Sequence, residues 1–138
     1  MKRLTHILLM ALAVFATYSL SKAQDESLWK YIGSTTNEKT GEITFFQARD
    51  CHRFTDAESA KYPKLAVRQQ TGDTPPVSEA VDEYDCKRRV SRIRIWLYKD
   101  GTEKIEKNPD WVEVVPGSIG EALLKYACRD RPASSSQE

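Results

Sequence analysis

Nine consecutive residues constrain this chain more than any other stretch: Val90 to Tyr98, VSRIRIWLY. Successive side chains of a strand point to opposite faces, so the pattern predicts a strand with Ile93, Ile95 and Leu97 on one side and Arg92, Arg94, Trp96 and Tyr98 on the other. One such strand buries nothing alone. The following Asp100-Gly101 suits a tight hairpin turn with positive φ at both residues, which predicts an antiparallel return over Thr102 to Glu106.

Further strands are read at Leu28–Ile32, Ile43–Phe46, Leu65–Val67 with its flanks, and Trp111–Val115, the last stopped by Pro116. Asn37 to Gly41 marks a turn between the first two. Thr55 to Tyr62 has too few apolar residues for a stable isolated helix and reads as a loop or one helical turn. Thr71 to Ala80, with Pro75 and Pro76, reads as an exposed loop, because proline cannot donate to a ladder inside a sheet.

After Pro116 the period changes. Ser118 and Glu121 have the spacing of a capping box, and Ile119, Ala122, Leu123, Tyr126 and Ala127 share one helical face, with Glu121 and Lys125 opposite. The fold class that follows is α+β: an antiparallel sheet of about six strands with one C-terminal helix packed on it. Trp29 and Trp111 are expected in its core.

The N-terminus reads differently. Lys2 and Arg3 precede an apolar run from Ile7 to Ala16 and the small-residue site Ser21-Lys22-Ala23, the pattern of a secretory signal peptide over residues 1–23. The apolar run is short for a bilayer span and no lipid-acceptor cysteine follows, so the expected product is exported to the periplasm or cell surface, with no membrane span and no lipid anchor. The domain then covers residues 24–130, and residues 131–138, RPASSSQE, form a tail without apolar side chains, expected to be disordered. Three of the 21 basic residues leave with the signal, so 20 acidic residues face 18 basic ones and the charge selects no nucleic acid.

Export permits disulfides, and the thiols are Cys51, Cys86 and Cys128. Cys86 stands at the head of the alternating strand and Cys128 at the end of the helix that must dock on that sheet, so these two are the preferred pair. The pairings 51–86 and 51–128 remain open. Whichever cysteine is left over is a free thiol or joins a second copy in a homodimer; in the preferred pairing this is Cys51. There is no C-x-x-C pair, and His52 is the only histidine after the signal, so no metal or other cofactor is expected.

The stretches YDCKRRVSRIRIW, KDG and WVEVVPGSIGEALLKYAC resemble the signature of the surface-adhesin protein E family of small exported Gram-negative domains. The matching positions are Asp85, Cys86, Arg89, Arg92, Gly101, Trp111, Pro116, Gly117, Ser118 and Cys128, with Trp29 as an early tryptophan. The likeness is strong from Val81 to Cys128 and weaker before. It implies an antiparallel sheet with a disulfide-tied terminal helix, and an adhesin-like, non-enzymatic function in binding extracellular-matrix or plasma proteins.

For such a partner the candidate surface is Arg88, Arg92, Arg94, Trp96 and Tyr98, the arginine and aromatic composition of binding hot spots. The plainer account of the same residues is a solvated face with cation–π stacking. An endogenous envelope protein is the alternative partner, with a structural or assembly role. A third reading is a thiol enzyme on Cys51 and His52, which geometry disfavours because neighbours in an extended strand point apart.

Overall fold

The computed structural model describes residues 28–72, 78–98 and 100–130. The signal-peptide and tail readings lie outside them. The chain divides after Lys30, and the architecture below concerns the unit Tyr31–Glu138. Among the described residues no helix is long and apolar enough to cross a membrane.

Seven strands form one antiparallel sheet: β1 Lys30–Thr36, β2 Ile43–Asp50, β3 Lys64–Thr71, β4 Ser78–Asp85, β5 Val90–Leu97, β6 Glu103–Ile105 and β7 Val112–Glu113. The first six follow one another across the sheet in chain order. The short β6 and β7 share the outer edge of β5, β6 against Ile95–Leu97 and β7 against Val90 and Ser91. Helix α1, Asp56–Lys61, lies in the β2–β3 connection and is capped by Thr55, whose side chain accepts from the Glu58 amide. Helix α2, Ile119–Ala127, closes the domain, and Cys86 and Cys128 are disulfide-bonded with 5.9 Å between their Cα atoms. The expected fold class and pairing are therefore those observed.

The core lies between α2 and one face of the sheet. Leu123, Leu124 and Ala127 pack on Ala48, Leu65, Tyr84 and Val114, with Ile32, Val67 and Ile119 at the margin. This is the burial that holds a nine-residue helix, too short to persist alone. Gly33 on β1 allows the close approach, because a Cβ there would stand 2.9 Å from Ile119 Cδ1. At the N-terminus of α2, Ser118 Oγ accepts from the Glu121 amide as expected. The Glu121 carboxylate, however, accepts from the Gly117 amide at 2.9 Å rather than from Ser118, whose N–H is given to Val115 O at 3.3 Å. Gly117, at φ +77°, makes that turn.

Two of the strand expectations change. Ser78–Ala80, read as loop, belongs to β4, an interior strand that continues through the acidic run to Asp85. After β5 the Tyr98 amide donates to Thr102 O and the Gly101 amide to Tyr98 O, with Gly101 at φ +84° as expected, and Asp100 Oδ1 accepts from the Thr102 amide and hydroxyl. Cys86 lies in the β4–β5 turn, just before the strand it was expected to open. That turn is held by Asp85, whose Oδ1 accepts from the amides of Lys87 and Arg88, and it ends with Arg89 in the left-handed region at φ 57°.

Candidate functional site

The register of β4 against β5 decides where the arginine and aromatic residues go. Val81 pairs with Ile95 and the next residue, Asp82, pairs with Ile93, so Arg94 is an extra residue bulged out of β5. An inserted residue reverses the in-and-out order beyond it. Ile93 accordingly pairs on the helix side with Asp82, while Ile95 and Leu97 join Val81 and Cys51 in a small apolar cluster on the opposite face. The single strip expected from strict alternation does not exist. Arg92 and Arg94 lie on the face away from α2, Trp96 pairs with Ala80 on the helix side, Tyr98 is 50% exposed just beyond the strand, and Arg88 is exposed in the turn.

What Arg92 and Arg94 do on that face could not be read from alternation. Both converge on Glu83, the residue beside Arg92 on β4: Arg92 Nε lies 2.7 Å and Arg94 Nη1 3.0 Å from Glu83 Oε2, and Lys64 Nζ lies 3.2 Å from Oε1. The lysine and glutamate side chains are 0% and 3% exposed, so one buried carboxylate holds three cations. Burial pushes the Glu83 carboxyl up, but the bonds from Arg92, Arg94 and Lys64 outweigh it and hold the group below its ordinary value.

The β2–β3 connection forms the roof. Lys64 Nζ also donates to the carbonyls of Glu58 and Tyr62, each at 3.2 Å, and sits 4.7 Å from the centre of the Phe54 ring. Arg92 stacks 4.2 Å above Trp111, which in turn meets Tyr62 at 5.2 Å. Trp111 is thus a half-buried clamp on a guanidinium rather than a core residue, whereas Trp29 is buried. Arg53 closes the roof onto β6 through two bonds to Glu103, at 2.8 and 3.0 Å, and its guanidinium holds Glu103 below the ordinary carboxylate range. Beneath lies an open cavity of about 210 Å³ lined by Arg53, Phe54, Arg94, Ile95 and Ile105.

Cys51 is free and buried under this roof, against Phe54, Val81, Ile95 and Leu97. His52 beside it is exposed, and no hydrogen bond joins the two. The thiol is thus packed among apolar groups, with the His52 imidazole in solvent. Among the described residues no group of three His, Cys, Asp or Glu side chains is placed to hold a metal ion.

The helix face also carries a carboxyl with a buried oxygen. Asp82 accepts from the Tyr84 hydroxyl at 3.2 Å through Oδ2, and its Oδ1 is buried without a partner. Desolvation pushes it up to about 6, against the smaller opposing effect of the Tyr84 bond.

Compared with protein-family models, curated proteins and solved structures, the chain matches none.

Proposed function

We propose that this chain is a non-enzymatic exported binding domain, similar in build to the surface-adhesin protein E family, that captures a protein partner through the open edge of its sheet. The observation that carries this reading is the pairing, among the described residues, of an outermost strand with exposed apolar side chains. Strand β1 is outermost, seven residues long and free of proline, and Tyr31 on it and Ile43 and Phe45 on β2 are 62%, 41% and 39% exposed. An edge strand offers backbone donors and acceptors to a partner strand, and neighbouring aromatic residues add contact area.

The positions that carry the family resemblance fit the same reading by being occupied elsewhere. Cys86 and Cys128 tie the helix, Asp85 builds the turn, Arg89 reaches Glu121 at 2.8 Å, Arg92 stacks on Trp111, and Gly117 and Ser118 cap α2. They make a scaffold and leave recognition to residues outside the signature. The partner is an extracellular-matrix protein or an envelope protein of the same cell.

Binding of the immobilised domain to purified matrix proteins and to envelope extract tests this. Tyr31→Ser with Phe45→Ser is expected to abolish capture, while Arg88→Ala with Tyr98→Ala leaves it intact. Loss only in the second pair would move the site to the turn and the end of β5, and capture unchanged in both would remove the sheet edge as the binding surface.

A further inference from the structure

The cation cluster on the face away from α2 is not electrically closed. Lys64, Arg92 and Arg94 share one carboxylate, Glu83, while Arg53 is matched by Glu103. Among the described residues the only side-chain hydrogen bond of Arg94 runs from Nη1 to Glu83, so its Nε–Nη2 edge meets no acceptor, and Nε is buried without a partner. That edge is the one that pairs side-on with a carboxylate through two parallel bonds. A buried donor left open carries a desolvation cost that a matching acceptor would recover.

Arg94 also lines the cavity under the β2–β3 roof, and the rest of that lining is apolar apart from Arg53: Phe54, Ile95 and Ile105, the last 64% exposed at the mouth. We propose that this cavity binds a monocarboxylate with a compact apolar body, its carboxylate against the Nε–Nη2 edge of Arg94 and its body against Phe54, Ile95 and Ile105. The volume, about 210 Å³, is below the roughly 300 Å³ at which sites for drug-sized ligands begin, so the occupant is a small acid or one terminal residue of a peptide. A dicarboxylate is disfavoured because the charge of Arg53 is already matched by Glu103. The bulge at Arg94 makes the site: without it, the guanidinium and Ile95, adjacent in sequence, would point to opposite faces. The inference does not rest on the protein-partner reading and concerns a different part of the sheet.

The test is calorimetric and NMR titration of the disulfide-intact domain with phenylacetate and with its neutral amide, phenylacetamide. Saturable binding of phenylacetate is expected, at least tenfold tighter than that of the amide, and weakened at least tenfold in both Arg94→Gln and Ile105→Glu. The second variant alters only an exposed rim residue, so it decides the matter if loss of Arg94 unfolds the domain. Two acetylated dipeptides ending in phenylalanine, one with a free carboxylate and one amidated, separate the sources. A peptide acid that binds more tightly than phenylacetate identifies a polypeptide C-terminus as the ligand, and the reverse order identifies a free small acid. Equal binding of acid and amide, an unchanged affinity in Ile105→Glu, or no saturation by either acid would overturn the proposal.

Discussion

The two faces of this sheet solve the same problem with different chemistry. Under α2 the sheet is covered by aliphatic and aromatic packing and a covalent tie. On the other side the cover is a thirteen-residue connection, 51–63, held down by a buried carboxylate with three cations, stacked guanidiniums and the Arg53–Glu103 pair. Apolar burial is non-directional and tolerates repacking, whereas a buried ion cluster stands only while every member is matched. The electrostatic face is therefore where a single substitution does the most harm and where a ligand has unmatched charge to use.

Glu83→Gln is expected to have the largest effect, lowering unfolding free energy by roughly 3–5 kcal/mol because three cations lose their shared counter-charge. Urea denaturation measures this, and a loss below about 1 kcal/mol would show that the cluster is far better solvated than its geometry indicates. Breaking the tie on the other face, by Cys86→Ser with Cys128→Ser, is expected to cost about 2–4 kcal/mol for a sequence separation of 42.

The Asp82 and Glu83 carboxyls should titrate in opposite senses. Asp82, raised from 3.8 to about 6, holds its proton more tightly in the folded state. Its contribution is therefore favourable at low pH and is lost as pH rises through about 6, a difference of at most about 3 kcal/mol at 1.36 kcal/mol per unit. Asp82→Asn should accordingly stabilise the domain at pH 7 and leave it unchanged near pH 4; equal stability of variant and parent at pH 7 would contradict the desolvation argument. Glu83 is lowered, so its contribution is present above the unfolded carboxylate range and disappears as acid is added through its folded value. Smallest is the helix cap: Ser118→Ala is expected to cost about 1 kcal/mol, read as a small fall in the melting temperature.

The helix face was legible in the sequence because its signals are local. The period of Ile119, Leu123 and Ala127, the cap at Ser118, and a thiol at each end of the tied segment all lie in contiguous stretches. The opposite face was not legible because its logic is a matter of register. Glu83 looks like solvent-facing charge within an acidic run, and becomes buried only once Lys64 is known to sit across from it on β3 and Arg92 on β5. The same acidic run hid β4, since charge-rich segments without a β-branched majority carry little strand signal. The bulge at Arg94 had no signal in the alternation it interrupts, which is why the faces of Ile95, Trp96 and Leu97 had to be re-sorted by structure. A useful cue was present: Arg92 and Arg94 in an otherwise apolar strand require buried acceptors, and Glu83 was the acidic residue closest across the hairpin.

The Cys86–Cys128 link gives the molecule a mechanical property. When the chain is pulled from its two ends, as in a protein anchored at one terminus while flow drags on its surroundings, the force passes from Cys86 to Cys128 through the sulfurs and skips the backbone between them. β5, β6, β7 and α2 are then shielded from stretching, and some 140 Å of potential extension, 42 residue steps at about 3.4 Å each, stays stored in the loop until a reductant releases it.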